Sequence, residues 1–139
     1  MLKNITTMCD ITTKIALAKE SIVLIDDLVD EKTIEILEFA KQINSSVKVF
    51  SRNRLNVEKR NIKRRIKFKA GFYFYETNEF NDRYLLIDGK MLFLLTRPLK
   101  FNNRRHFYYI RIMGDQEITR IKARIEQSQT YSNLHCRHF

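Results

Sequence analysis

Hydrophobic and polar positions along the chain follow two different periods. In "DITTKIALAKE", Ile11, Ile15 and Ala18 recur at helical spacing, and Asp10 stands where an N-cap acceptor belongs. "SIVLID" is a short apolar run rich in β-branched residues and predicts a buried strand. "DEKTIEILEFAKQIN" carries Ile34, Leu37 and Ala40 on one face, widened by Ile36, Phe39 and Ile43, so a helix with a broad apolar stripe is expected. "VKVFSR" returns to strand. Beyond a polar, basic stretch come four strand candidates in succession: "GFYFYET", "DRYLLID", "MLFLLTR" and "HFYYIRIM". Asp88-Gly89 supplies a hairpin turn between the second and third of them. "GDQEITRIKARIEQ" turns Ile118, Ile121 and Ile125 inward and closes the chain as a helix.

This order of elements predicts an α/β fold, a mixed β-sheet flanked by helices. Residues 1–127 are expected to form one domain and residues 128–139 a basic C-terminal tail. No internal repeat, Pro-rich linker or low-complexity tract interrupts the pattern.

Composition sharpens this reading. A chain of 139 residues is long enough to bury a core without disulfide staples, and its 44% hydrophobic content with three Gly and one Pro argues against disorder. Cys9 and Cys136 sit near opposite ends and form neither a disulfide framework nor a spaced metal site, which suits a reducing cytosol. No apolar signal core and no membrane-length run is present, so a cytoplasmic protein with no membrane partner is expected.

The charge is uneven. The net charge is +10, and residues 51–70, "SRNRLNVEKRNIKRRIKFKA", hold nine Lys or Arg against one Glu. Basicity localised in this way points to a polyanionic partner; the competing reading is a solvated face that keeps the chain soluble. Aromatics interleave with the cations, but in a domain without Trp most of them are needed for the core.

One stretch carries candidate chemistry. "FNDRYLLIDGK" places Asn81, Arg83 and Asp88 at the spacing Asn-x-Arg-x4-Asp, and strand alternation puts Asn81 and Arg83 on one face. The spacing resembles the His-x-Lys-x4-Asp motif of the phospholipase D-like superfamily, whose bacterial members often carry Arg for the Lys. The resemblance extends to two further segments: "KIALAKESIVLIDDLVDEKTIEIL" is similar to the opening helix, strand and helix of a single-motif bacterial domain, and "FYYIRIMGDQEITRIKARIE" to its closing strand and helix. It implies a phospholipase D-like fold. It also implies a site in which the motif His attacks phosphorus, the cation neutralises phosphoryl oxygens and the Asp helps hold the arrangement. Two motifs meet across one active site in that family, which implies a homodimer here.

Asn81 departs from the motif at its centre. An amide nitrogen has a delocalised lone pair, and it neither attacks phosphorus nor shuttles a proton near neutral pH. Downstream, where the family carries small residues, the chain reads Thr96, Arg97 and Pro98, and the last two are expected to crowd a phosphate. The reading that follows is a catalytically degenerate domain, not an active phosphodiesterase, that binds nucleic-acid phosphates through Arg83 and through Arg60, Lys63, Arg64, Arg65 and Lys67. The alternatives are an inactive structural or dimerisation subunit, and a nuclease whose nucleophile has moved, with His106 the candidate.

Bland roles remain open for the other residues. Asp88 is favoured in a turn for its own sake. Asp26, Asp27 and Asp30 are read as caps on the helix that follows them. His135, Cys136 and His138 lack a second cluster to complete a tetrahedral set, so no metal is expected, and no phosphate-cradling Gly loop points to a cofactor.

Overall fold

Runs of β-branched and aromatic residues line up as one mixed sheet. The structure, a computed structural model, describes residues 5–7, 10–40, 46–52, 71–132 and 137–138. Among these the strands are β1 (Ile5–Thr7), β2 (Ser21–Ile25), β3 (Ser46–Ser51), β4 (Gly71–Glu76), β5 (Arg83–Ile87), β6 (Met91–Leu95), β7 (Tyr108–Ile112) and β8 (Arg137–His138). Their order across the sheet is β1-β7-β6-β5-β2-β3-β4-β8. Strands β2, β3 and β4 are parallel; every other neighbouring pair is antiparallel. The helices are α1 (Asp10–Ala16), α2 (Glu31–Leu37) and α3 (Asp115–Ser132), with a short 3-10 turn at Leu99–Phe101.

Strand alternation sends apolar side chains to both faces, so both must be covered. On one face Ile22, Leu24, Val47, Val49, Leu85 and Ile87 pack with Ile11 and Ile15 of α1 and with Ile34 and Leu37 of α2. On the other, Ile25, Phe50, Tyr75, Leu86 and Leu92 pack with Ile121 and Ile125 of α3. The result is a three-layer α/β arrangement, and the mixed sheet flanked by helices is as the sequence pattern predicts.

The local rules also act where expected. Asp30 caps α2: its carboxylate accepts from the backbone N–H groups of Lys32 and Thr33 at 3.0 and 3.3 Å, while Thr33 Oγ1 accepts from Asp30 N. Asp88 and Gly89 have φ of 56° and 66°, as the tight turn between β5 and β6 requires of both central residues.

Several expectations need correction. The second helix stops at Leu37 instead of running on through 44, and Phe39, placed on its apolar stripe, is 49% exposed in the turn beyond it. Ile43 lies outside the described residues. The last strand starts at Tyr108, so His106 stands before it, in a turn with φ 65°. The closing helix passes through the expected boundary at 127/128: its apolar face continues to Ser128, which is buried and donates to Thr77 Oγ1 at 3.2 Å. Strands β1 and β8, too short to show a period, were not anticipated. Among the described residues no helix is long and apolar enough to cross a membrane.

Candidate functional site

The three parallel strands all end on the same side of the sheet. The chain leaves β2 through Asp26 and Asp27, β3 through Arg52 and β4 through Thr77. Strand β5 runs the other way, with Tyr84 opposite Ile25, so its first residues arrive at that same end. An open cleft forms there, lined by Asp26, Asp27, Ser51, Arg52, Thr77, Asn81, Asp82 and Arg83 above Ile25, Phe50 and Phe80. Open α/β sheets hold their ligands at this end of the strands.

Aromatic packing fixes the loop that carries the motif. Phe50 stacks on Tyr75 with centroids 4.6 Å apart and meets Phe80 edge-on at 6.2 Å. Phe80 is buried, which pins the chain just before Asn81. Two guanidinium groups grip the same loop from outside. Arg52 Nη2 donates to the Phe80 carbonyl at 3.0 Å, and Arg124 of α3 donates to the Glu79 carbonyl while lying over the Phe80 ring. Asn81 is exposed; its Oδ1 stands 3.5 Å from Arg52 Nη2.

Arg83 is not an open phosphate ligand. Its Nε donates to Asp27 Oδ1 at 2.6 Å and its Nη2 to Asp27 Oδ2 at 3.1 Å, a two-pronged pair in which a carboxylate takes the place an anion would occupy. Its Nε also lies 3.6 Å from Asp26 Oδ1. Asp27 is half-exposed. Its partial burial would raise its pKa, but the hydrogen bond and charge of Arg83 outweigh that and hold it below the usual carboxylate range.

Asp26 is in the opposite condition. It is buried, and burial pushes its pKa up to about 7 although the backbone N–H groups of Leu99 and Leu28 and the charge of Arg83 favour the ionised form. Its Oδ2 accepts from Leu99 N at 2.8 Å and its Oδ1 from Leu28 N at 3.1 Å. Asp26 therefore ties the floor of the cleft to the connection between β6 and β7. Neither Asp26 nor Asp27 caps α2, as the sequence reading had it; only Asp30 does. The signal that would have found them is position: acids at the carboxyl end of a buried parallel strand stand where ligand sites form.

The cleft lining holds three carboxylates, Asp26, Asp27 and Asp82, and two guanidinium groups, Arg52 and Arg83. It is not a cationic funnel. The motif's third residue is not brought to it at all. Asp88 lies at the far end of β5, beyond Ile87, where its carboxylate accepts from the N–H groups of Lys19, Glu20 and Ser21 at 2.7–3.2 Å. Those donors hold its pKa below the usual range against partial burial. Asp88 is thus both a turn residue and an anchor for the loop between α1 and β2.

The remaining candidates fall as follows. Arg97 and Pro98 do not line the cleft. Arg97 turns outward and donates to the Arg105 carbonyl at 3.3 Å, and Pro98 is buried at the start of the 3-10 turn. His106 is exposed and is not among the lining residues. Arg60, Lys63, Arg64, Arg65 and Lys67 lie outside the described residues, as do His135 and Cys136. Among the described residues no group of three or more His, Cys, Asp or Glu gathers where it could hold a metal ion.

No protein-family model matches this sequence, and no curated protein matches it. Solved structures do. NucT from Helicobacter pylori superposes with a TM-score of 0.64 at 13% identity, over 99% of this chain and 99% of that one. Nuc from Salmonella typhimurium, a phospholipase D family member, gives 0.61 at 13% identity with the same coverage of both chains. TrmBL2, an archaeal chromatin protein described with a mode of DNA binding, gives 0.53 at 12% identity, over 94% of this chain and 52% of that one. At these identities the likeness is one of architecture. Together with the strand order and the site at the head of β5, it gives this chain a phospholipase D-like α/β fold.

Proposed function

We propose that this domain binds the phosphate backbone of nucleic acid without cleaving it. The observation that carries the reading is the pairing at the motif: Asn81 stands where the resemblance calls for a nucleophile, and the neighbouring Arg83 is closed in a bidentate pair with Asp27. Phosphodiester cleavage needs a nucleophile and a cation aimed at the phosphoryl oxygens, and here the first is an amide and the second is already neutralised. Binding is supported by the net charge of +10 and the nine cations of residues 51–70. The likeness to a phospholipase D family member and to a chromatin protein described as binding DNA agrees with such a partner.

In this reading Arg52 and the run containing Arg60, Lys63, Arg64, Arg65 and Lys67 supply net attraction. Arg83 reaches a phosphate only by exchanging it for Asp27, so it orients the strand more than it strengthens binding. The chain carries a single motif half, and two copies paired about a two-fold axis would bring two clefts together. A cytoplasmic homodimer is the proposed working form. Sedimentation at micromolar concentration tests the pairing, and a clean monomer overturns it.

The test of the function is a salt titration beside a cleavage assay. Log affinity for a DNA duplex should fall linearly with log salt, by about 0.9 for each phosphate neutralised, and the DNA should stay intact. Cleavage that disappears in Arg83→Ala would overturn the non-cleaving reading; salt-insensitive or absent binding would overturn the nucleic-acid reading.

A further inference from the structure

The connection between β6 and β7, residues 96–107, meets the site through Leu99 N on Asp26, and none of its residues lines the cleft. It belongs to a stretch, residues 89–114, that contains no Asp or Glu but holds Lys90, Arg97, Lys100, Arg104, Arg105 and Arg111. Three cations of the described structure are held in ion pairs: Arg83 by Asp27, Lys100 by Asp30 at 3.2 Å, and Arg120 by Glu117. Arg104 and Arg105 are exposed, and among the described residues neither enters an ion pair.

The loop that presents them is held firmly. Thr96 and Tyr108 close its base with three hydrogen bonds of 2.8–3.0 Å. Leu99 N is fixed on Asp26 at 2.8 Å, and Arg97 Nη1 spans the loop to the Arg105 carbonyl at 3.3 Å. The turn beyond Arg105 is set by His106 with φ 65°, a left-handed conformation that a non-glycine residue rarely adopts. A loop ordered in this way loses little further entropy when a ligand arrives.

Its position completes the picture. Leu95, the last residue of β6, lies opposite Arg83, so the loop rises at the same end of the sheet as the cleft. Arg52 stands on the other side, at the end of β3. From β6 to β3 the sheet steps through β5 and β2, three strand spacings or about 14 Å. That is the length of about four phosphates along one strand of a duplex. Between Arg52 and this loop lies the rest of the cleft, where Arg83 is paired with Asp27 and the carboxyl groups outnumber the guanidinium groups.

We infer that the loop of residues 96–107 is a second phosphate-contacting element, with Arg104 and Arg105 gripping a nucleic-acid backbone on the side of the cleft away from Arg52. This rests on the nucleic-acid reading above and specifies where the strand runs: across the carboxyl ends of β2 and β3, bridging two basic rims, with the cleft beneath it and not the source of its attraction.

The experiment is a salt titration of the full chain on a fluorescent DNA duplex, with single-stranded DNA and an RNA duplex in parallel. The variants are Arg104→Gln with Arg105→Gln, and Arg104→Lys with Arg105→Lys. If the parent binds a duplex, the double-Gln variant should lower the slope of log affinity against log salt by about 1.8, two contacts at 0.9 each, and on single-stranded DNA by about 1.4, at 0.7 each. Raising salt fourfold should then weaken the parent about tenfold more than the variant. The double-Lys variant should keep the parent's slope, because a phosphate contact needs charge and not a guanidinium. Equal slopes for the parent and double-Gln chains overturn this inference and leave the nucleic-acid reading standing. So does a double-Lys variant that loses slope as the Gln variant does. A parent that binds none of the three, or binds them without salt dependence, removes the reading on which the inference rests.

Discussion

Strand β5 has a motif residue with its own set of partners at each end, Arg83 at the start and Asp88 just beyond the finish, and the two ends solve different problems. At its finish, Asp88 spends its carboxylate on three backbone N–H groups of the α1–β2 loop, and the donors are neutral. At its start, Arg83 is met by Asp27 and the buried Asp26, and every contact involves charge. The first end is indifferent to its surroundings within the ordinary pH range. The second is poised: one carboxyl is held ionised by Arg83 while the other is pushed up to about 7 by burial. A structural anchor can use either kind of partner. Only the second kind leaves a group whose protonation changes under mild conditions.

The largest expected effect separates the two ends by pH. Asp26 has a folded-state pKa above its unfolded value, so the folded protein holds a proton that the unfolded chain releases between about pH 4 and pH 7. Its burial penalty is absent at the acid side of that window and complete above it. Stability should therefore fall by about 3 kcal/mol between pH 5 and pH 8 through this group, at about 1.4 kcal/mol per unit within the window. Asp27 and Asp88, whose pKa values are lowered, stabilise the fold above about pH 4 and lose that contribution only below it, so they leave this range alone. Urea denaturation across the range should give this slope, and Asp26→Asn should flatten it. A flat profile in the parent would contradict the assignment.

Next in size is Arg83→Ala, which leaves Asp26 and Asp27 side by side without their cation. Removing one partner of a fully buried pair costs about 3–5 kcal/mol; with Asp27 half in solvent the loss here should be about 2–3 kcal/mol at pH 8. It should shrink at pH 5, where Asp26 is neutral. Equal losses at both pH values would show that the guanidinium acts by packing alone. Asp88→Ala, by contrast, should cost about 1–2 kcal/mol and cost the same at both pH values, because backbone donors lose their acceptor and no charge is stranded.

How much of this was readable in advance follows the same division. Asp88-Gly89 announces its turn by local chemistry, and the helices and strands announce themselves by period, so the mixed sheet and its flanking helices were legible. Asp30 was legible as a cap because its partners are two and three residues away. The Asp27–Arg83 pair spans 56 positions, and nothing in either segment names the other. Arg83 was legible as a candidate from its strand position, but its pairing with Asp27 was not. Asp26 and Asp27 were misread because three neighbouring acids before a helix satisfy a capping rule that only one of them uses. Phe39 failed for a simpler reason: a spacing argument holds only while the helix lasts.

The smallest expected effect returns to the start of β5. Asp27→Asn removes the internal anion that occupies Arg83. If that pair is what keeps Arg83 from a phosphate, the variant should bind duplex DNA with a salt slope steeper by about 0.9, the signature of one more contact. An unchanged slope would mean that the strand does not pass over the cleft.

Strand β4 reads Gly-Phe-Tyr-Phe-Tyr-Glu, and on its outer side β8 pairs with it at Tyr73 and Phe74. Four aromatics in a row are a template for further strands wherever their backbone N–H and C=O groups come uncovered. Proteolytic loss of Arg137 and His138 strips the pairing from Tyr73 and Phe74, and the clipped chain should show a rise in amyloid-dye fluorescence that the whole chain does not.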